Sequence, residues 1–168
     1  ISYDKIQNLV DAAAAKSLQI RRDLHQNPEP SEHEVHTSAR VRAELKQLGI
    51  PYRSEIAGHG IKAVLTTKSK EPAVAIRADM DALPIQEKVD LPFKSQNDGF
   101  MHACGHDIHT AVLLGTASVL KALQEELPRT TVFLFEPAEE TRGGAKPMIE
   151  EGCLEDPRVD TVIGLHIE

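Results

Sequence analysis

The chain has 168 residues, of which 40% are hydrophobic and 27% are charged, the balance of a soluble globular protein rather than a disordered one. Its formal net charge of −7 argues against a basic surface for nucleic acid and against binding to an anionic membrane. It has no apolar run near the roughly 18 residues that span a bilayer, and its N-terminus lacks the pattern of a signal peptide.

The N-terminal part of the chain is predicted to form two helices. Apolar residues recur at mostly helical spacing over residues 4–25, and that helix ends before a pair of prolines. Ser31 and Glu34 have the spacing of a capping box, which predicts that a second helix begins there. This helix runs to about Leu48, where a glycine ends it.

The rest of the chain alternates short apolar strands with helices. A long loop over residues 82–105 precedes a strongly amphipathic helix at 107–127, and a further helix is predicted at 143–151. This order predicts an α/β fold with a mixed, largely parallel sheet covered on both faces, to which one hairpin adds an antiparallel part. The strands are predicted at residues 51–56, 61–67, 73–79, 130–137 and 160–168.

Metal-binding side chains follow the predicted strands. The carboxyl ends of parallel strands meet at one edge of a sheet, where open α/β sheets bind ligands. We therefore expect these side chains to lie close together, although they come from four separate segments. They are Asp79 and Asp81 after one strand, Glu139 and Glu140 after another, His166 near the end of the last, and Cys104 and His106 in the loop before the helix at 107–127.

The residue types in this set indicate a divalent metal site. Thiolate, imidazole and carboxylate together suit Zn²⁺, or Mn²⁺ and Co²⁺ in a mixed site. Cys104 and His106 are alternate residues in a loop that contains a glycine, so their side chains can converge. Of the adjacent carboxylates Glu139 and Glu140, one can bind metal while the other accepts a proton from the attacking water.

Each feature also has an ordinary structural interpretation. Asp79 and Asp81 are typical of turns, and Glu139 with Glu140 is typical of a solvated loop. Cys153 is expected to be a core residue. Both cysteines are expected to be reduced, and the cytoplasm is the expected compartment. Four further histidines are expected to be surface or helix-capping residues, namely His25, His33, His36 and His59.

Six segments carry a resemblance to a known family. They resemble the M20 metallopeptidases, most closely the branch of aminoacylases, hippurate hydrolases and indole-acetyl-amino-acid hydrolases. The match runs in order through nearly all of the chain. The segments are "RRDLHQNPEPSEHE" (21–34), "RADMDALPI" (77–85), "MHACGHDIHTA" (101–111), "EPAEE" (136–140), "GGAKPMIEEG" (143–152) and "GLHIE" (164–168).

The resemblance implies a zinc-peptidase-like catalytic domain of three layers, α/β/α, that cleaves N-acyl amino acids or similar small amides with two divalent metal ions. These ions would be Zn²⁺ or Mn²⁺, with Co²⁺ as an alternative. It implies that Glu139 is the general base and that Asp81, or less strongly Asp79, orients a metal ligand, with His109 nearby. The metal ligands that it implies are Cys104, His106, Glu140 and His166.

Members of this family are typically more than twice as long as this chain. They carry a smaller lid domain, used for dimerisation and substrate contact, and one further histidine ligand beyond the region that matches. We therefore expect residues 1–168 to be the N-terminal portion of the catalytic domain, without the lid domain, from a protein that forms homodimers through that lid. Alone, this portion is expected to bind metal more weakly.

Two other functions stay open from the sequence. One is a dipeptidase, or a deacetylase of an N-acetylated biosynthetic intermediate, on the same fold. Cys104 in "HACGHD" favours the aminoacylase-like branch over dipeptidases, which usually have Asp at this place. The other is a metal-binding fragment without catalytic activity.

Overall fold

Five strands form one mixed sheet in the computed structural model, which describes residues 1–167. Their spatial order is β1-β2-β4-β3-β5. Strand β3 pairs in parallel with β4 and β5, whereas β2 pairs antiparallel with β1 and β4. The strands are β1 (Tyr52–Ile56), β2 (Gly60–Leu65), β3 (Ala73–Asp79), β4 (Thr131–Glu136) and β5 (Val159–Gly164).

The predicted α/β fold with a mixed sheet is confirmed, but its parallel share is smaller than expected. Two of the four strand pairings are antiparallel, because β2 extends its hairpin with β1 by pairing with β4 as well. The last strand ends at Gly164, earlier than predicted. Glu168, which the sequence placed in that strand, lies outside the described residues.

Helices cover both faces of the sheet, which gives the predicted three layers. One core lies between the sheet and the first three helices, and a smaller core lies on the other face under the fourth. None of the described helices has the length and apolar content needed to cross a bilayer. The helices are α1 (Tyr3–Gln26), α2 (Val35–Gln47), α3 (His106–Ala122) and α4 (Ala145–Glu150).

The central strand β4 contributes to both cores. Phe133 and Phe135 pack against the helices α1 to α3, while Val132 and Leu134 face the side of α4 and Cys153. A strand buried on both faces has no solvent-facing positions, which explains its nearly unbroken apolar sequence. Cys153 is buried in the second core, as expected.

The predicted capping box at Ser31 and Glu34 is wrong. Helix α2 begins at Val35, and the Glu34 side chain makes no capping hydrogen bond to it. The carboxylate of Glu29 caps α2 instead, because it accepts hydrogen bonds from the backbone N–H groups of His36 and Thr37, each at 2.8 Å. Ser31 and Glu34 have partners at the carboxyl edge of the sheet, and these long-range contacts replace the local ones.

Candidate metal centre

The carboxyl edge of the parallel strands gathers the predicted site residues. Strands β3 and β4 run in register, so that Asp79 lies opposite Glu136 and the segments that follow both strands emerge side by side. The helix α3 begins at this edge, with His106 as its first residue. Three groups of side chains there have ligand atoms within 4.8 Å of one another, and His106 belongs to all of them. These groups are Cys104–His106–His166, Asp79–His106–His109 and His106–Glu139–Glu140.

The ring of His106 is held by Asp81. Its Nδ1 lies 3.2 Å from Oδ1 of Asp81, and the other carboxylate oxygen of Asp81 accepts hydrogen bonds from the Ser31 hydroxyl and from the backbone N–H of Glu140. Burial opposes ionisation of Asp81, but these hydrogen bonds outweigh it and lower the pKa of Asp81 to about 2. An ionised Asp81 accepts the Nδ1–H of His106, which leaves Nε2 as the free nitrogen.

That nitrogen points into a cluster of carboxylates. His106 Nε2 lies 3.6 Å from Oε1 of Glu140, 3.6 Å from Asp79 and 3.9 Å from Oε2 of Glu139. His106 Nε2 and Glu140 Oε1 are both buried without a hydrogen-bond partner among the described residues. Buried polar atoms in proteins normally have partners, and a cation between these two would satisfy both. The donor set therefore fits a divalent metal ion.

Cys104 and His166 form another side of the site. The Sγ of Cys104 lies 3.4 Å from Nε2 of His166, and the His166 ring stands nearly perpendicular to that of His106, with ring centres 6.4 Å apart. Burial raises the pKa of the Cys104 thiol to about 11, and the Glu140 carboxylate adds to the effect. A metal ion at this position would have to displace the thiol proton.

Glu139 and Glu140 differ in their access to solvent. They follow the turn at the end of β4, and their side chains are 39% and 20% exposed, respectively. Burial and the negative charge of Glu140 raise the pKa of Glu139. The arrangement places Glu140 deeper, beside His106, and leaves Glu139, whose pKa is raised, facing the open side.

All six site residues predicted from the sequence lie at this edge. The four predicted ligands fall into two groups that share His106, so the side chains could hold two ions, as the family resemblance implies. Asp81 contacts His106 in the geometry expected of a residue that orients a ligand. The individual roles stay predictions. The six residues are Asp81, Cys104, His106, Glu139, Glu140 and His166.

Asp79 has partners that its sequence position does not reveal. Its carboxylate receives hydrogen bonds from Nδ1 of His109 at 2.6 Å and from Arg77 at 2.5 Å. Burial opposes its ionisation, but His106, His109 and Arg77 outweigh this and lower the pKa of Asp79. Asp79 is thus more than a turn residue, because its carboxylate lies between His106 and His109.

The expectation that His25 is an ordinary surface or capping residue is wrong. His25 is buried, and its two ring nitrogens lie 2.8 Å from Asp107 and 3.0 Å from Glu87. Arg21 also contacts Asp107, at 2.9 Å. Arg21 and His25 are one helical turn apart and project from one face of α1, which is the signal that the sequence contained. His33 and His36 are exposed, as expected, and His59 is half-buried.

One family model and several named proteins match this chain. The family model of Peptidase family M20/M25/M40 matches residues 75–168. An IAA-amino acid hydrolase, ILR1-like 4, from Arabidopsis thaliana is 50% identical over 148 residues, which are 88% of this chain and 33% of the relative. The N-acetyl-L-cysteine deacetylase of Bacillus subtilis (strain 168) is 50% identical over 147 residues, covering 88% of this chain and 35% of the relative.

A solved structure shares the fold. The YXEP protein of Bacillus subtilis, described as a dinuclear metal-binding peptidase from the M20 family, aligns with a TM-score of 0.88 and 42% sequence identity. The alignment covers 94% of this chain and 44% of that one. The chain spans about a third of the length of the two curated relatives above, at 33% and 35%.

Proposed function

Because the chain belongs to peptidase family M20/M25/M40, we propose that its protein hydrolyses the amide bond of N-acyl amino acids or similar small amides, releasing a carboxylate and a free amine. The observation that carries the proposal is the pair of buried, unpartnered atoms His106 Nε2 and Glu140 Oε1, which face each other at 3.6 Å beside the more exposed Glu139. This pair supports a metal site with a free carboxylate next to it.

The names of the relatives support the class of substrate. One is an IAA-amino acid hydrolase and another is an N-acetyl-L-cysteine deacetylase, and both names describe an amino acid joined to an acyl group through an amide. The two acyl groups differ greatly in size. The proposal is therefore for N-acyl amino acids as a class.

We propose that two divalent ions, Zn²⁺ or Mn²⁺ with Co²⁺ as an alternative, bind to the four predicted ligands. Mixed nitrogen, oxygen and sulfur ligands suit all three metals. When bound, such ions polarise the amide carbonyl and lower the pKa of a water molecule. The ligands are Cys104, His106, Glu140 and His166.

Glu139 is proposed to move the proton. Its carboxylate accepts a proton from the attacking water and then donates it to the nitrogen of the leaving amine. Burial and the charge of Glu140 raise its pKa towards the range in which a carboxylate is an effective base, while its exposure leaves room for substrate. Asp81 keeps the His106 ring in one orientation and one tautomer throughout.

The test uses the full-length polypeptide, loaded in turn with Zn²⁺, Mn²⁺ or Co²⁺, and a panel of N-acetyl, N-benzoyl and indole-acetyl amino acids. Release of free amine is expected from amino acids that carry at least one of these three acyl groups. Glu139→Gln should lower kcat by about 10²–10⁴-fold and leave the metal content unchanged. Glu125→Gln, at an exposed position beyond the last residue of α3, is the matched control and should be as active as the wild type.

Treatment with a chelator separates the proposal from its alternatives. Activity should disappear and return when one of the three metals is added back. A dipeptidase would cleave unblocked dipeptides in preference to the N-acyl panel. A metal-binding protein without activity would retain its metal and release no amine from any substrate, which would overturn the proposal.

A further inference from the structure

His109 contacts the segment that carries the proposed ligand His166. The ring of His109 accepts a hydrogen bond at Nε2 from the backbone N–H of Ile167, at 3.1 Å. It also lies against the ring of His166, with centroids 4.8 Å apart. Both contacts come from one buried side chain in the first turn of α3.

These contacts determine the tautomer of His109. A backbone N–H can only donate, so Nε2 of His109 must be the unprotonated acceptor nitrogen. The ring proton of the neutral imidazole is therefore on Nδ1, and it is donated to Oδ1 of Asp79 at 2.6 Å. Both ring nitrogens of His109 thus have protein partners. Although His109 belongs to a group of possible ligands with Asp79 and His106, neither nitrogen is free for a metal ion.

The segment that His109 contacts lies outside regular structure. Strand β5 ends at Gly164, and the residues that follow it up to Ile167 are exposed and outside regular structure. In the part of the chain that the structure describes, their hydrogen bonds are the one from Ile167 to His109 and the contact of His166 with Cys104. A ligand on an irregular segment loses conformational entropy when it binds metal, and a fixed backbone lowers that cost.

A second contact lies on the same segment. The side chain of Ile167 covers Gly105, so closely that a Cβ atom on Gly105 would lie 2.3 Å from Cδ1 of Ile167. Gly105 stands between Cys104 and His106 in the sequence. Ile167 therefore joins the two ligand-bearing segments directly, through its side chain on Gly105 and its backbone on His109.

We propose that His109 is a positioning residue that, as a neutral imidazole fixed by Asp79, holds the backbone of Ile167 and so places His166 for metal binding. The inference rests on the proposed metal centre and assigns no catalytic step to His109. It predicts that metal binding requires a hydrogen-bond acceptor at position 109, at the place of Nε2.

Two substitutions distinguish the contact made by Nε2 of His109 from the contact made by Nδ1. Glutamine extends as far as Nε2, so His109→Gln retains an acceptor for Ile167. Asparagine reaches only as far as Nδ1, so His109→Asn retains a donor for Asp79 and loses the contact with Ile167. The exposed His33 offers a matched control, His33→Asn.

The experiment titrates the metal-free full-length polypeptide with Co²⁺ alone, followed by the absorption bands of thiolate-bound and histidine-bound Co²⁺. We expect His109→Asn to lower the Co²⁺ affinity about tenfold or more, while His109→Gln stays within about threefold of the wild type. His33→Asn should match the wild type. Circular dichroism shows that the variants compared are folded.

Three results of the Co²⁺ titration would overturn the inference. Equal affinities of the wild type and His109→Asn would overturn it alone, and so would equal losses in the Asn and Gln variants. A wild type that binds no Co²⁺ would overturn both this inference and the proposed function.

Nitrogen-15 NMR of the wild-type histidine rings needs no substitution, and it should show His109 with its proton on Nδ1 before and after addition of Zn²⁺. A metal-bound or protonated Nε2 would contradict the proposal.

Discussion

Glu34 and Ala138 are joined by a hydrogen bond of 2.6 Å, in which the buried carboxyl group of Glu34 accepts from the backbone N–H of Ala138, 104 residues later in the chain. Ala138 precedes the pair Glu139–Glu140, and its φ of 52° lies in the left-handed region that is unfavourable for alanine. The contact therefore helps to hold the strained turn from which both carboxylates of the site project.

Removing this acceptor should destabilise the protein. We expect Glu34→Ala to lower the free energy of unfolding by about 1–3 kcal/mol, because the buried N–H of Ala138 loses its partner. Glu34→Gln retains a carbonyl acceptor and should cost less. Urea unfolding measures both, with the exposed Glu71→Ala as the control, and a loss equal to that of the control would contradict the assignment.

The same residue gives a pH dependence with a defined sign. Burial raises the pKa of Glu34 above its usual value of 4.5, so the folded state binds more protons than the unfolded state just above that pH. The contribution of Glu34 to the free energy of unfolding therefore falls as the pH rises through this window. Glu34→Gln does not titrate, so its stability relative to the wild type should rise from pH 4.5 to neutral pH, and a flat difference would contradict this.

Gly105 should be required both for its backbone and for its lack of a side chain. Its φ of 83° is matched by the φ of 81° of Gly99, whose missing Cβ would meet nothing within 4 Å. Alanine at either position should cost about 1–2 kcal/mol of stability for the left-handed backbone. Gly105→Ala should in addition displace Ile167 and weaken Co²⁺ binding. Equal Co²⁺ affinities of the two variants would show that Ile167 does not need this space.

Metal affinity should increase with pH. Burial and the Glu140 carboxylate raise the pKa of the Cys104 thiol to about 11, so the thiol is protonated at neutral pH and must release its proton to bind metal. The apparent affinity for Zn²⁺ should rise by up to about tenfold per pH unit for this proton. Competition titrations across neutral and mildly alkaline pH measure the slope. Cys104→Ser should flatten it, whereas Cys153→Ala, in the core, should not.

The stability contributed by His25 should decrease as the pH rises. The hydrogen bond to Asp107 raises the pKa of His25 above its usual 6.5, against the opposing effect of burial, and the bond to Glu87 adds to it. The contribution is complete below pH 6.5 and is lost as the pH rises through the folded-state pKa. At mildly acidic pH, His25→Gln should cost about 1.5–3 kcal/mol. Thermal unfolding with His33→Gln as the control tests this, and a cost that does not change with pH would contradict it.

The positions of the candidate metal ligands could be predicted from the sequence because local patterns determine them. The strand at residues 73–79 was predicted with the bounds that the structure shows, and Asp79 is its last residue. Asp81, Glu139 and Glu140 follow strands whose apolar runs are clear. Parallel strands then place their following residues at one edge, whatever the details of the loops. The positions of Cys104 and His106 could be predicted from the start of the next helix alone.

The contacts that support the site were not predictable in this way. Glu34 has the spacing of a helix cap, His25 lies at the end of an amphipathic helix, and His109 follows a metal-binding motif, yet the partners of all three are 30 to 104 residues away. Local periodicity contains no information on which buried acceptor meets which donor. The antiparallel pairing of β2 with β4 was missed for the same reason, since strand order is a property of the whole sheet.

Burial beside the carboxylates of the site has a consequence for the chemical reactivity of Cys104. The thiolate is the form that reacts with alkylating reagents and peroxide, and a thiol whose pKa is about 11 is almost entirely protonated at neutral pH. Although its side chain is only half-buried, Cys104 should therefore react slowly in the metal-free protein. Burial, together with the carboxylates of the site, would therefore protect this easily oxidised ligand while no metal ion is bound.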